Sequence, residues 1–290
     1  MWGSLDLIRV WLRAPITDLE TTWRPTKGIA LGSPVSPLLA NLYLDQFQCS
    51  GDPGFCLEVA RAIVTGKLQN MRLILRRYAR KREAPALLAA ERSLQDFVAD
   101  LERARTLDML RGYEGSGSKA YFEALRSLLP AAWGFKKRVR QPPTDPFNAL
   151  LSYGYTLLFY NIYALVRARG LSPHAGFLHP LRSGHPALVS DLIEEFRALV
   201  VDALVLSLVL SERLSTEDFT YAEAPGTACL LSDEARKTFI HAFEAKMDAA
   251  LTHPATGRRL DYRRCIDEQV QIVASVIRGK QPCYTPMVLR

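Results

Sequence analysis

The sequence predicts a mainly α-helical protein, and three observations carry that prediction. From Phe55 onward, apolar residues recur at intervals of three and four, the period of a helix face. Strand signals after that point are few, and no internal repeat is found. Of the 290 residues, 48% are apolar, enough to build one large domain or two ordinary ones and too many for a disordered chain.

Taken in order, residues 1–48 read as a short helix, a polar turn region and the Gly/Pro-punctuated segment GIALGSPVSPLLANLYLDQF. The run CSGDPG at 49–54 breaks any regular element and marks a domain junction, with the main domain over 55–290. A helix is predicted over 56–82; its second half, KLQNMRLILRRYARKR, is basic through Lys67, Arg72, Arg76, Arg77, Arg80, Lys81 and Arg82 and holds no acidic residue. A second amphipathic helix over 86–111 is laced with Glu/Arg pairs. A third starts near Glu114 and stops at Pro130. A loop follows with a second basic cluster, Lys136, Lys137, Arg138 and Arg140. Asp145 to Asn148 then opens a long apolar helix that ends near Arg169 and Gly170. The stretch GLSPHAGFLHPLRSGHP reads as a loop, and helices are expected over 190–209, 231–253 and 262–278.

Charge and cysteine usage narrow the setting. Lys and Arg outnumber Asp and Glu by 37 to 30, a balance that favours a polyanionic partner. The five cysteines are scattered, with no CxxC pair, which argues against a disulfide framework or structural zinc and for free thiols in a reducing cytoplasm. Asp6, Arg9 and Arg13 interrupt the first apolar stretch, so no secretory signal is read there. Two segments, 149–166 and 198–210, are apolar enough to suggest a membrane. The first carries Ser152, Asn161 and tyrosines, and the second is short and contains Asp202, so both are expected as buried core helices.

Chemistry concentrates in DLIEEF, where Asp191, Glu194 and Glu195 stand at i, i+3 and i+4, so at least two carboxylates share a helix face. Such triplets are commonly no more than solvated acidic faces. Here the helix emerges from a loop with His174, His179 and His185, and upstream Glu114 is followed by small residues that let another helix pack closely. One imidazole with carboxylates from separate elements makes an N/O donor set suited to Mg²⁺ or Mn²⁺ rather than zinc.

GFLHPLRSGHPALVSDLIEEFR resembles the motif of the CRISPR spacer-acquisition integrase family, the first Cas protein: Gly-aromatic-Leu-His, about a dozen residues, then Asp-Leu-x-Glu-x-Phe-Arg. RGYEGSGSKAYFEAL is similar to its glutamate motif, with Gly and Ser in place of the more usual alanines. FNALLSYGYTLLFYNIYALVRARGLSPHAGFLH resembles its helix leading to the histidine, AIVTGKLQNMRLILRR its first helix, and YRRCIDEQVQIVASVIRGKQPCYTPM its closing helix and tail. The resemblance implies a helical catalytic domain and a divalent-metal-dependent DNA endonuclease/integrase that joins spacer 3′-hydroxyl ends into a CRISPR array by transesterification. It implies catalytic metal ligands at Glu114, His179 and Glu194, with Asp191 a further ligand or an orienter, and leaves His174, His185 and Glu195 structural. Lys67, Arg72, Arg76, Arg77, Arg80, Lys136, Lys137, Arg138 and Arg140 are the expected nucleic-acid contacts, made to phosphates without regard to sequence.

KGIALGSPVSPLLANLYL resembles instead the template-binding motif of reverse transcriptases, Gly-x-x-x-Gly-x-x-x-Ser-Pro-x-x-x-Asn, known in fusions to this integrase. The catalytic aspartates expected before it and in a Tyr-x-Asp-Asp turn after it are missing, so no reverse transcription is expected. The family's N-terminal β domain is also expected to be absent. The resemblance implies DNA, the second Cas protein and a second copy of the chain as partners, and the expected loss of the β domain weakens both protein contacts. A catalytically silent DNA-binding or scaffold remnant is the alternative.

Overall fold

The computed structural model describes residues 16–17, 22–23, 36–80, 84–224 and 227–289, with side chains from Leu42 onward. The chain divides into two compact units, Met1–Asn41 and Leu42–Arg290. In the first, β1 (Ile16–Thr17) pairs antiparallel with β2 (Thr22–Trp23). Most of the segment that resembles a reverse transcriptase lies outside the described residues.

The second unit begins within α1 (Ser36–Ser50), ahead of the expected junction at 49–54. Gln46 is the reason: its amide donates to the carbonyls of Ser172 (2.8 Å) and Ala175 (2.9 Å) and accepts from the Ser172 amide (2.7 Å). CSGDPG does break the chain, since Asp52 caps the next helix through the amides of Gly54 (2.8 Å) and Phe55 (3.1 Å), with Pro53 in its first turn.

That helix, α2 (Pro53–Ala79), is the hub, packed against α3 (Pro85–Asp100), α4 (Leu107–Arg126) and α6 (Ala187–Phe196). Ala60, Ile63, Val64, Leu68, Met71, Ile74 and Leu75 form its buried stripe. The single helix expected over 86–111 is broken after Asp100. Arg61 holds the carbonyls of Leu101 (3.0 Å) and Ala104 (2.9 Å) out of the helix, and Thr106 caps α4 through the Met109 amide (3.2 Å). The helix that carries Glu114 therefore starts two turns earlier than the sequence suggests. Gly117 sets how close α4 comes: a Cβ there would lie 2.5 Å from Leu68 Cδ2 and 3.0 Å from Leu94 Cδ2.

α5 (Pro146–Ala168), capped by Asp145, packs on α6 and on α9 (Tyr262–Ile277). It is long and apolar enough to cross a membrane by length and composition. Its Phe147, Leu150, Leu151, Leu158, Ile162 and Val166 are buried in the protein. All ten residues of α6 are buried, and burial of its Leu, Ile and Phe side chains stabilises the fold by about 1.5–3 kcal/mol each. α6 runs without a break through a π-helical segment, Arg197–Asp202, into α7 (Ala203–Leu210). Beyond it come the antiparallel pair β3 (Phe219–Tyr221) and β4 (Cys229–Leu231), α8 (Asp233–Met247), the pair β5 (Ala250–Thr252) and β6 (Arg259–Asp261), and α9. The expected helix over 231–253 is α8 alone, because the chain leaves it after Met247 to form β5.

Candidate active site

The site begins with a carboxylate that holds a loop. Asp191, on α6 and with no exposed surface, accepts the backbone amides of Phe177 (2.6 Å), Leu178 (3.0 Å) and His179 (2.9 Å) from the loop that follows α5. It also accepts from His179 Nδ1 at 2.7 Å. A carboxylate partner requires Nδ1 to carry a proton, so in the neutral ring the lone pair falls on Nε2. Gly176 permits the approach: a Cβ there would lie 2.7 Å from Asp191 Oδ2 and 2.7 Å from the Ala187 carbonyl carbon. With its oxygens occupied by these four donors, Asp191 orients His179 rather than facing a ligand of its own. His174 Nδ1 lies 3.1 Å from the His185 carbonyl, and His185 Nε2 lies 3.2 Å from Ser190 Oγ, so both brace the same loop. Burial lowers the His185 pKa, helped by its neighbour His179.

Glu194 stands one turn beyond Asp191 on α6 and is 3% exposed. Lys67 Nζ, from α2, lies 2.6 Å from Glu194 Oε2 and pairs also with Glu114 Oε1 of α4. Arg197 Nε approaches Glu194 Oε1 at 3.1 Å. Burial opposes ionisation of Glu194, but Arg197, Lys67 and then His179 outweigh it and hold its carboxyl down at about 2. His179, the third of the expected ligands, is bonded to Asp191, one turn before Glu194 on the same helix. Burial pulls on the Lys67 ammonium too, and Glu194 followed by Glu114 leaves its pKa raised. Among the described residues, no three His, Cys, Asp or Glu side chains are gathered at ligating range of one point. The cationic position between the two glutamates is taken by Lys67.

Behind Glu194 the charges are layered. Arg197 stacks on Tyr155 (4.6 Å to the ring centre), and Arg138 also stacks on that ring (5.3 Å). Tyr155 Oη donates to Asp202 Oδ1 at 2.5 Å, and burial pushes the Asp202 carboxyl up to about 6 against that bond. Glu195 is part of the core: it accepts from Tyr284 Oη (2.7 Å), Gln269 Nε2 (2.9 Å) and the Met287 amide (2.7 Å), which anchors the C-terminal tail. Burial raises its carboxyl to about 7.

The expected phosphate contacts divide. Lys67 and Arg72 are corrected: Lys67 is 4% and Arg72 7% exposed, and Arg72 is held by Glu91 at 2.8 Å with Gln69 and Gln95. Arg76 shares Glu91 at 2.9 Å. Arg77, Arg80, Lys136, Lys137 and Arg140 are exposed. Arg138 is half-buried, bonded to Asn148 Oδ1 (2.9 Å) and Ser152 Oγ (3.0 Å). A cavity of about 420 Å³ lies beside Lys67, Glu114, Arg138, Arg140 and Arg197. A larger one of about 1160 Å³ shares Arg138, Arg140, Tyr155 and Arg197 and adds Arg236 and Tyr160.

Sequence reasoning placed Lys67 on the DNA face and passed over Arg197 and Tyr155. A signal for Lys67 exists: it falls on the stripe Ala60, Val64, Met71 and Ile74, where a lysine without a buried acid would be costly.

A helical catalytic domain with a carboxylate-oriented histidine beside paired glutamates is the class of protein that fold and site define. The family model described as CRISPR associated protein Cas1 matches residues 26–245, so the chain belongs to the Cas1 family. The match begins inside the segment that resembles a reverse transcriptase and runs through the expected junction. A CRISPR-associated endonuclease Cas1 of Thermus thermophilus is 37% identical over 245 residues, 84% of this chain and 70% of that protein. One from Leptospira interrogans is 35% identical over 250 residues, 84% of this chain and 97% of that protein. The chain spans half (50%) of a Cas4/Cas1 fusion of Geobacter sulfurreducens, at 36% identity. Among solved structures, a Cas1 protein of Thermotoga maritima superposes with a TM-score of 0.71 at 26% identity, over 90% of this chain and 76% of that one. A casposase bound to integration product shares the fold, with a TM-score of 0.76 at 20% identity over 92% of this chain and 74% of that one. A chain of a Cas6-RT-Cas1–Cas2 complex gives 0.76 at 26% identity, over 86% of this chain and 27% of that one.

Proposed function

We propose that the chain joins DNA strands in CRISPR adaptation as a divalent-metal-dependent endonuclease/integrase. A 3′-hydroxyl attacks a phosphodiester of the array; the new P–O bond forms as the old one breaks, and the proton lost by the attacking hydroxyl is balanced by one gained at the departing 3′-oxygen. The observation that carries this reading is the pairing of Glu114 of α4 and Glu194 of α6 across Lys67, with His179 held by Asp191, one turn before Glu194 on α6.

The donors suit Mg²⁺ or Mn²⁺: with Nδ1 donating to Asp191, the neutral His179 ring keeps its lone pair on Nε2, and Glu194 Oε2 is buried with no hydrogen-bond partner beyond its ion pair to Lys67 at 2.6 Å. When bound, the cation supplies Lewis-acid polarisation of the attacked phosphate and charge stabilisation at the leaving oxygen. The protein does the rest. Asp191 keeps His179 Nε2 free to ligate, Arg197 keeps Glu194 ionised, and Lys136, Lys137 and Arg140 supply sequence-independent phosphate contacts that position the strand.

Relatives named as Cas1 endonucleases and a neighbour named as a Cas1–Cas2 complex support DNA and a second Cas protein as partners. The name of that neighbour and the motif KGIALGSPVSPLLANLYL support residues 1–48 as derived from a reverse transcriptase. Asp6, Asp18 and Asp45 lack a Tyr-x-Asp-Asp context, so primer extension on RNA should stay at background, and metal-dependent extension overturns that part.

The test is strand transfer of a labelled 3′-hydroxyl oligonucleotide into a repeat-containing plasmid with Mn²⁺. The wild-type chain should join ends, and Glu114→Gln and His179→Ala should not, with thermal unfolding little changed. A wild-type chain that binds DNA but joins nothing favours the silent remnant; joining that survives Glu114→Gln overturns the site.

A further inference from the structure

Lys67 is buried on α2, and its ammonium contacts a carboxylate from each of two other helices, Glu114 of α4 and Glu194 of α6. The position is built rather than incidental. Gly66, next in the chain, allows α2 to approach Glu195: a Cβ there would lie 3.2 Å from Glu195 Cγ and 2.9 Å from Pro286 Cβ. Gly117 brings α4 onto Leu68, the next residue on the other side. Two glycines thus fix the helix spacings that leave one ammonium between two carboxylates.

Two glutamates facing one another in a partly buried place repel, and without a counter-charge their helices would be pushed apart or one carboxyl protonated. Among the described residues, the ion pair of Arg197 is with Glu194. Glu114 has Ser118 Oγ at 3.0 Å and, as its cation, Lys67.

We propose that Lys67 is a built-in counter-cation of the metal site: it holds Glu114 and Glu194 at ligand spacing before a divalent cation arrives, and it must leave at least one of them for that cation to bind. The inference rests on the metal-site reading above and gives Lys67 a role toward the metal rather than toward DNA. Lysine suits the task better than arginine, because an ammonium on a flexible stem is a point charge that withdraws, whereas a planar guanidinium in a bidentate grip does not. The route of withdrawal is present, since Lys67 lines the cavity of about 420 Å³ together with Ser118, Phe122 and Arg138.

The consequence is opposite in sign to that of an ordinary supporting residue. Lys67→Met keeps the stem and deletes the competing charge, so Mn²⁺ should bind the variant more tightly than it binds wild type. Removing a like charge from beside an entering cation strengthens its binding, and a gain of about ten-fold is the expected size. The metal-free variant should melt lower than wild type, because the carboxylates lose their counter-ion, and Mn²⁺ should raise its melting temperature by more than it raises that of wild type.

The experiment measures Mn²⁺ binding to the full chain by electron paramagnetic resonance, and melting with and without Mn²⁺, for wild type, Lys67→Met and Glu194→Gln. Tighter Mn²⁺ binding and a larger metal-dependent melting shift in Lys67→Met are the expected result. Unchanged or weaker Mn²⁺ binding in Lys67→Met, with wild-type binding lost in Glu194→Gln, overturns the counter-cation and leaves the metal site standing. Equal binding by wild type and Glu194→Gln overturns the metal-site reading itself. If Lys67→Met does not fold, Lys67→Arg carries the test: weaker Mn²⁺ binding than wild type supports the displacement, and equal binding overturns it.

Discussion

One carboxylate oxygen of Asp191 accepts both from the His179 amide (2.9 Å) and from His179 Nδ1 (2.7 Å), so a single atom fixes where the histidine's backbone lies and which ring nitrogen is protonated. Asp191→Asn retains one acceptor oxygen but no longer enforces the tautomer. Strand transfer should fall about 10–100-fold, as for other residues that orient a metal-binding histidine. Asp191→Ala strands the buried amides of Phe177 and Leu178 and the part-buried amide of His179, the buried ones costing about 1–3 kcal/mol each, and should lower unfolding stability by about 3 kcal/mol or more in denaturant titration.

Gly176→Ala places a methyl group 2.7 Å from both Asp191 Oδ2 and the Ala187 backbone. The loop must move off α6, carrying His179 with it. The expected outcome is a loss of about 1–3 kcal/mol in stability with a larger proportional loss of strand transfer. Wild-type activity in this variant would show that the Asp191 grip is dispensable.

Asp202 gives a pH dependence whose sign is fixed. Burial raises its carboxyl from an ordinary 3.8 to about 6, so the native state holds a proton that the unfolded chain has released. Its contribution is complete below about pH 4 and is lost as pH rises through about 6. The full effect is on the order of 3 kcal/mol. Asp202→Asn should flatten the stability profile between pH 4 and 7 in thermal melts. Glu194 acts in the opposite sense: held at about 2, it stabilises above the ordinary carboxylate range and loses that contribution as pH falls toward 2.

Arg72 and Lys137 should behave differently although both belong to basic clusters. Lys137 is exposed, and Lys137→Ala should weaken DNA binding for all sequences alike and reduce the salt slope by about one, with melting unchanged. Arg72 is buried against Glu91, and Arg72→Met should lower the melting temperature and leave the salt slope as it was. Fluorescence anisotropy across a salt series, beside melting curves, separates the two.

The sequence by itself determined the helical class, through apolar spacing that places Ile63, Val64, Leu68, Met71 and Ile74 on one face of α2. It placed the start of α5 as well, since Asp145 acts locally on the amide of Asn148. It also put forward Glu114, His179 and Glu194 as candidate ligands through the resemblance of short, contiguous motifs. Tertiary structure decided what each charge does. Whether a lysine meets solvent or two glutamates depends on how close α2, α4 and α6 lie, and that distance is set by Gly66 and Gly117 meeting side chains far away in sequence. The break between α3 and α4 was likewise hidden, because it depends on Arg61 binding the carbonyls of Leu101 and Ala104 across 40 or more positions. A helix period records which side of a residue faces the core. It does not record which charge waits there, and in this site that partner turned Lys67 from an expected phosphate contact into the bridge between two carboxylates.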